Sequence, residues 1–422
     1  MTLAPALQHD RRLVAWLSLS QLISWGSIFY LFSLLMEPVE RELGLSRAQS
    51  SLAFSIALLV EGLMAYPVGR WIDRGHERVV MSAGSVLAGL CLALLGSVTS
   101  QWGFYAIWAG LGVAMSAILY TPVFAVVTRR FALDFRRAII TMTFLGGLAS
   151  TVFIPLIAWL MAHLGWRQSV LVLAALQWGV CLPLHMLNLR GAPAQPVRQH
   201  SEGAAHVQGT SGQVARQGFS QHLLSPAFWL IGSFVVLTMA VTVALPAHMV
   251  SLLRENGLNE AWVIAIPASM GVIQVLGRLL MFFFEHHFDM HLANRLIPSL
   301  IPVGLVALLL VPLAPLTGAV HTGLLIGFVL LYGMGNGMVT IVKGTVIAQY
   351  VNRDHVASLN GALGIPAALA RSAAPLLMGV LWSRETGYSL GLWMLLGLSS
   401  VAVTALLLAQ RIALARAAGP PR

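Results

Sequence analysis

The sequence predicts an all-α membrane protein with twelve transmembrane helices in two pseudo-symmetric six-helix bundles. Apolar residues make up 58% of the 422 residues and charged residues only 9%, too few charges to cover the surface of a soluble protein. Apolar runs of about twenty residues, the length that crosses a bilayer, recur along the chain. Gly69-Arg70 closes the second run and Gly277-Arg278 closes the eighth, which indicates two similar halves.

Six helices are predicted in the first half from apolar runs of membrane-spanning length. Their predicted bounds are 13–36, 48–72, 79–99, 102–127, 138–162 and 167–188. The first run is too long for the core of a cleaved signal peptide. We therefore interpret it as a retained membrane helix.

The second half repeats this pattern after a polar stretch. Its predicted helices are 226–253, 260–283, 293–314, 321–349, 356–382 and 387–410. Pro155 in the fifth helix and Pro375 in the eleventh are a further correspondence between the halves. The stretch 190–224 is rich in Gly, Gln, Ser and His and is predicted to be a flexible cytoplasmic linker. It joins an N-terminal bundle, 1–189, to a C-terminal bundle, 225–422.

The basic residues predict the orientation of the chain. With the N-terminus inside, most of the 25 Lys and Arg residues fall in loops on the cytoplasmic side. This asymmetry follows the positive-inside rule and predicts that both termini are cytoplasmic, in a cell (inner) membrane. The formal net charge of +10 is therefore attributed to membrane orientation, and no nucleic-acid partner is expected.

No cofactor, metal or enzymatic activity is expected. Cys91 and Cys181 lie inside apolar helices and are interpreted as packing residues. His287 and His291 have i,i+4 spacing, but a short turn after the eighth helix is favoured over a metal site. The Gly-rich stretch 333–337 lies inside an apolar helix, without the strand that a nucleotide loop requires. Catalytic motifs such as His-Glu-x-x-His are absent from the sequence.

Four ionisable residues are predicted to lie inside the membrane, where such groups are costly and usually functional. Glu61 and Arg371 are placed near the midplane by their position along helices 2 and 11. Arg278 and Lys343 lie nearer to helix ends, where long side chains can reach the interface. Glu61 is interpreted either as the carrier of a coupling proton or as the permanent counter-ion of a buried arginine.

Polar and aromatic residues in the first helix predict the wall of a substrate cavity. Gln21 and Trp25 share a helix face at i,i+4 spacing, and Tyr30 follows on the same helix. Tyr120 and Gln274 are weaker candidates of the same kind. Together with the basic residues Arg371, Arg278 and Lys343, they form the predicted substrate-binding set.

The loop Gly69-x3-Asp73-Arg74 resembles the signature loop of the major facilitator superfamily. The resemblance covers almost the whole chain and implies the twelve-helix fold, a monomer, and a gating loop that contains Gly69, Asp73, Arg74 and Arg78. In this sequence the second glycine of the loop comes one position early, as Gly75.

Within the superfamily, the chain is similar to bacterial relatives of monocarboxylate and oxalate:formate transporters. The motifs of this similarity are Trp25-Gly26, Leu43-Gly44-Leu45-Ser46-Arg47, Arg136-Arg137-Ala138, Gly146-Gly147 and Gly165-Trp166-Arg167. The resemblance implies that Arg278 and Arg371 contact a carboxylate substrate. Gln274 and Ser24 stand where monocarboxylate carriers have acidic residues. Because helices 2 and 11 adjoin in this fold, we hypothesise that Glu61 pairs with Arg371.

The function predicted from these observations is secondary active transport of a small organic anion by alternating access, coupled to protons or by exchange. Two alternatives stay open. One is efflux of drugs or metalloids, although the fifth helix lacks the Gly-Pro pair of drug antiporters because Ile154 precedes Pro155. The other is a membrane receptor without transport activity.

Overall fold

The computed structural model describes residues 5–130, 135–190, 223–284, 289–313, 318–352 and 356–417. These residues are predominantly helical, and 11 helical stretches among them are long and apolar enough to cross a membrane. The predicted all-α membrane fold is confirmed, whereas the count of twelve spans stays a prediction. Most of the predicted linker, together with His287, lies outside the described residues.

The first half contains nine α-helices and two π-helical segments among the described residues. The helices are α1 (Pro5–Ser24), α2 (Leu31–Leu43), α3 (Arg47–Asp73), α4 (Glu77–Leu95), α5 (Gln101–Ile118), α6 (Tyr120–Arg130), α7 (Phe135–Gly147), α8 (Ala149–Leu176) and α9 (Leu182–Asn188). The π-helical segments Trp25–Tyr30 and Gln177–Cys181 join α1 to α2 and α8 to α9. Such segments are rare and occur often at functional sites.

The second half continues with long helices. They are α10 (Pro226–Glu255), α11 (Glu260–Phe284), α12 (Met290–Leu310), α13 (Ala319–Tyr350), α14 (Val356–Leu381) and α15 (Ser389–Ala417). A short 3₁₀ turn, Val311–Leu313, extends α12.

The first membrane helix is longer than the sequence predicts, because α2 continues past residue 36 to Leu43. Charged residues fill this last part, and they stay helical because arginines on other helices pair with Glu37 and Glu40. Gly44 ends the helix in the left-handed conformation at φ 65°, where glycine has no steric penalty. Ser46 then starts α3 with a reciprocal capping box.

The predicted fourth helix, 102–127, is broken at Leu119, which separates α5 from α6 with an extended backbone (φ −82°, ψ −163°). Pro122 has no N–H group, so the carbonyl of Ile118 loses its usual donor four residues ahead. The side-chain amide of Gln21 replaces that donor, because its Nε2 lies 2.6 Å from the Ile118 oxygen. The break is thus satisfied by a tertiary hydrogen bond.

The predicted fifth and sixth helices form one stretch, Ala138–Asn188, of 51 residues. Gly165 interrupts it with non-helical angles of φ 74° and ψ 164°, which a residue with a β-carbon adopts only under strain. The interruption falls between the predicted ends at 162 and 167.

The described chain divides into two compact units. The first unit consists of the described residues up to 190 together with Val243–Val275 and Arg371–Gly391, and the second consists of the other described residues. The division at the linker into bundles 1–189 and 225–422 stays a prediction. In the core of the first unit, Phe54 stacks on Phe32 at a centroid distance of 4.5 Å and meets Trp108 edge to face.

Small residues bring helices close together inside the first unit. A β-carbon added at Gly379 on α14 would lie 2.5 Å from the Ser51 hydroxyl on α3. On α11, an added β-carbon at Gly271 would lie 2.5 Å from Thr151 Oγ1, and that hydroxyl donates to the Ala268 carbonyl at 2.6 Å. Such close approaches are how helices associate in membranes.

Candidate functional site

An ion pair between α3 and α14 is the charged centre of the first unit. Arg371 Nη2 lies 2.9 Å from Glu61 Oε2, and the two side chains are only 19% and 11% exposed. The Nε atom of Arg371 is buried and has no hydrogen-bond partner among the described residues. Because arginine stays protonated in proteins, only movement of the side chains or protonation of Glu61 can separate the pair.

One close contact between the same two helices lies nearer to their other end. Gly379 on α14 packs against Ser51 on α3, and Ser51 donates to the Arg47 carbonyl at 2.7 Å. The hypothesised ion pair between Glu61 and Arg371 is observed, and its two residues are 310 positions apart in the sequence.

A wall of aromatic rings lies in the same unit. The Trp25 ring stands 4.9 Å from Tyr120 and 5.0 Å from Phe29, and Tyr120 stacks on Phe124 at 5.1 Å. Tyr30 meets Phe29 edge to face at 5.4 Å. Trp25, Tyr30 and Tyr120 are each half-buried. Three predicted cavity residues therefore belong to one aromatic layer that is partly accessible.

Two polar atoms of this wall are buried without a partner in the described part of the chain. They are the Gln21 side-chain oxygen and the Trp25 indole nitrogen. Gln21 is fully buried and holds the break between α5 and α6 through its other amide atom. An unused acceptor and an unused donor suit a polar substrate or ordered water.

Gly146 makes room for the phenol of Tyr120. A β-carbon added at Gly146 would overlap the Tyr120 hydroxyl oxygen. We expect Gly146→Ala to displace the ring, at a cost in folding stability of about 1–3 kcal/mol that is usual for overpacking, and thereby to weaken substrate binding. Gly327→Ala is the matched control, because no atom lies within 4 Å of its added β-carbon. Substrate-induced thermal stabilisation of both variants checks this, and equal stabilisation would remove Tyr120 from the binding wall.

The other predicted basic residues belong to the second unit. Arg278 Nε donates to the Gly337 carbonyl at 3.2 Å, and Lys343 Nζ lies 2.8 Å from the sulfur of Met239. Gln274 is half-buried on α11. The repeated glycine has a packing role, since a β-carbon at Gly277 would lie 3.2 Å from the Met334 carbonyl oxygen on α13.

The buried carboxylate of the predicted gating loop is Glu77, which the sequence analysis did not single out. Glu77 is fully buried, and its oxygens lie 2.5 Å from Arg130 and 3.3 Å from Arg129. Asp73 and Arg74 are exposed, and Arg78, like Gly69, is half-buried. Arg129 also donates to the Ile72 carbonyl near the end of α3.

A sequence signal for this residue did exist. Gly75 has a left-handed φ of 89°, and its early position lets Glu77 become the first residue of α4. Arg129 and Arg130 form a basic pair at the end of α6. A buried acid between two arginines ties the loop to the ends of three helices.

A second set of polar side chains lies at the N-terminal end of α3, and we name it the Arg47 cluster. It consists of Glu40, Arg47, His248, Glu255 and Tyr388. Arg47 lies 3.1 Å from Glu40 and 3.4 Å from Glu255, and it donates to the Tyr388 hydroxyl. The sequence pattern places Arg47 in the motif 43–47 and singles out none of the other four residues.

Burial raises the pKa of the Tyr388 phenol above its usual range, and the positive charge of Arg47 opposes this shift only in part. Tyr388 lies just before α15 and outside the candidate membrane spans. The phenol therefore keeps its proton at neutral pH and can donate a hydrogen bond.

Arg254 forms a neighbouring ion-pair group. Its Nε lies 2.7 Å from Glu260, and its Nη1 pairs with Glu37 on α2. Helices α2, α10 and α11 are thereby tied at their ends.

A model of the Major Facilitator Superfamily matches residues 17–375. The chain belongs to the Major Facilitator Superfamily. Among the relatives of this superfamily member is the uncharacterized MFS-type transporter YcxA of Bacillus subtilis, 23% identical over 330 residues, which are 76% of each chain. Monocarboxylate transporter 13 of Bos taurus is 26% identical over 332 residues, 71% of this chain and 68% of the relative.

Solved structures agree with this family. A bacterial homologue of the human lysosomal transporter Spinster, inward-facing and occupied, superposes with a TM-score of 0.72 at 16% identity, over 96% of this chain and 97% of that one. The nucleoside transporter NupG gives a TM-score of 0.66 at 15% identity, over 95% and 98%. The superfamily member is therefore a multi-pass membrane protein with the fold of secondary transporters.

Proposed function

We propose that this transporter moves a small organic anion of the carboxylate type by alternating access, with a proton or in exchange. The ion pair between Glu61 and Arg371 carries this proposal. A carboxylate substrate has the charge and shape of the Glu61 side chain, so it can replace Glu61 on the guanidinium group. The name of the bovine relative, a monocarboxylate transporter, supports the same substrate class.

Charge balance explains how a proton would be coupled to the anion. Without substrate, ionised Glu61 neutralises Arg371 inside the membrane. With substrate, the anion neutralises Arg371, and a proton on Glu61 keeps the site neutral. Either partly loaded state leaves an uncompensated charge in a low-dielectric region, which is unfavourable. The proton and the anion would therefore bind and cross together, since only the neutral states change conformation without the free-energy cost of an uncompensated charge.

The remaining predicted residues have supporting roles in this proposal. The rings of Trp25, Tyr30 and Tyr120 would contact the apolar part of the substrate. The Gln21 side-chain oxygen and the Trp25 indole nitrogen would accept from and donate to its polar groups. Gln274, which belongs to the first unit, would add a polar group, and Arg278 and Lys343 stay predicted substrate contacts on the strength of the sequence.

The proposed topology places both termini in the cytoplasm of a cell with an inner membrane, and the protein would act as a monomer. The basic loops support this orientation by the positive-inside rule. The gating loop around Asp73 and Glu77 would then be cytoplasmic, and the Arg47 cluster would lie on the outer side.

The first experiment measures the thermal stability of the purified protein with a panel of organic anions, lipophilic drugs, and oxyanions of arsenic and antimony. A ligand that binds only the folded state raises the melting temperature. At a ligand concentration one hundred times its Kd, the free energy of unfolding increases by about 2.7 kcal/mol. We expect stabilisation by carboxylates that is lost in Arg371→Ala. Arg384→Ala is the control, because that arginine is exposed in a loop.

Other outcomes would redirect the proposal. Stabilisation by uncharged or cationic compounds that persists in Arg371→Ala would favour efflux of drugs, and stabilisation by oxyanions of arsenic or antimony would favour efflux of metalloids. Binding of an anion without flux in reconstituted vesicles would favour a receptor.

A further inference from the structure

A buried histidine connects the Arg47 cluster to the helix that carries Arg371. His248 on α10 has no exposed surface. Its Nδ1 lies 3.1 Å from the Tyr388 hydroxyl, and its Nε2 lies 2.9 Å from the Pro375 carbonyl oxygen. Pro375 is four residues after Arg371, about one helical turn along α14.

The hydrogen-bond partners fix the protonation of this imidazole. A carbonyl oxygen only accepts, so Nε2 must carry a hydrogen and donate to Pro375. Nδ1 is then an acceptor in the neutral ring, and the protonated phenol of Tyr388 donates to it. The Tyr388 oxygen in turn accepts from Arg47. The result is one directed chain of donors from Arg47 through Tyr388 and His248 to Pro375.

A second proton on His248 would break this chain. Nδ1 would become a donor that faces the Tyr388 oxygen, and the phenol hydrogen would lose its acceptor. A positive imidazole would also stand next to the positive Arg47, while the acidic groups of the cluster, Glu40 and Glu255, lie against Arg47. The remaining neighbour is the Ser51 hydroxyl, 3.5 Å from Nε2, which carries no charge.

We propose that His248 is a positioning residue whose protonation releases the Arg47 cluster by breaking the hydrogen bond between Tyr388 and His248, while Nε2 keeps its hydrogen bond to Pro375. In the neutral form, His248 holds α3, α10 and α14 together at this end of the first unit. Acid on the outer side, where the Arg47 cluster is proposed to lie, disrupts the chain of hydrogen bonds and favours opening of the protein toward that side. The inference deepens the proposed function, because opening would expose the Glu61–Arg371 pair to the side that supplies protons.

The test measures opening directly, without a substrate. Spin labels are attached at the exposed positions Arg41 and Glu385, in a background in which the two buried cysteines are replaced by serine. The distance between the labels is followed by double electron–electron resonance from about pH 8 to about pH 4, a range that extends below the usual titration of imidazoles. We expect the short-distance population to fall by at least about half across this range.

Variants separate titration from packing. His248→Gln can still donate to Pro375 but cannot gain a charge, so its short-distance population should not change with pH. Tyr388→Phe removes the link to Arg47 and should lower this population at every pH. An unchanged pH response in His248→Gln, or wild-type behaviour of Tyr388→Phe, overturns the proposal.

Glu61→Gln separates this inference from the proposed function. We expect that variant to keep the pH-dependent distance change, because the proton that opens the Arg47 cluster binds to His248. Loss of the change in Glu61→Gln would assign it to the ion pair and contradict a role for His248. Failure of carboxylates to stabilise the protein would instead reject the anion proposal and leave the distance measurement unaffected.

Discussion

Glu61→Gln is expected to abolish proton-driven accumulation of the anion while anion exchange continues. A glutamine can still accept a hydrogen bond from Arg371, 2.9 Å away in the wild type, but it carries no charge and binds no proton. One proton that moves with one anion sustains about tenfold accumulation for each pH unit of gradient, since one unit is about 1.36 kcal/mol. The variant should sustain none.

Proteoliposomes provide the measurement. Accumulation of labelled substrate is followed with and without an inward pH gradient, and exchange is followed with substrate on both sides. Glu61→Asp keeps the titratable group and should retain part of the gradient-driven uptake. Accumulation by Glu61→Gln that still follows the pH gradient would show that Glu61 is only a counter-ion and that another group carries the proton.

Glu77→Gln is expected to cause the largest loss of stability among the single changes considered. Glu77 has no exposed surface and neutralises Arg129 and Arg130, which are themselves 14% and 9% exposed. Removal of one partner from a buried pair leaves charge without compensation and costs about 3–5 kcal/mol. The melting temperature of the purified variant should therefore fall well below that of the wild type.

Asp73→Asn is the matched control for this change. Asp73 lies in the same loop and corresponds to the acid of the superfamily signature, but its side chain is exposed. Exposed ion pairs contribute about 0–1 kcal/mol, so its melting temperature should hardly change. If Asp73→Asn destabilised the protein as much as Glu77→Gln, Asp73 would contribute as much to stability as Glu77. That result would contradict the stabilising role assigned to Glu77 from its burial.

Most of the fold could be predicted because a bilayer imposes simple rules. A spanning segment must satisfy its own backbone hydrogen bonds, so each apolar run of sufficient length is a helix. The details that were missed depend on contacts from other helices. The extension of α2 to Leu43 depends on arginines that pair with Glu37 and Glu40. The break at Leu119 had a local signal in Pro122, but its partner Gln21 is 97 residues away.

The sequence predicted which charged residues belong to the candidate site better than it predicted which residues they contact. The cost of charge in a membrane singled out Glu61 and Arg371 from the sequence. It could not identify the Arg47 cluster, because the charges near helix ends look like ordinary loop residues until their burial is known. Glu77 was missed for the same reason, since the superfamily pattern directs attention to Asp73.

The sequence by itself determined the membrane class, the superfamily and the small set of intramembrane charged residues that are expected to be functional. These follow from hydrophobicity and charge, which are properties of each residue and its neighbours along the chain. Only the tertiary structure decided which other charges neutralise one another, such as Glu77 with Arg129 and Arg130. The physical reason is that the energy of an ion pair or a buried hydrogen bond depends on distances between helices, and those distances are set by packing at residues such as Gly379 and Ser51.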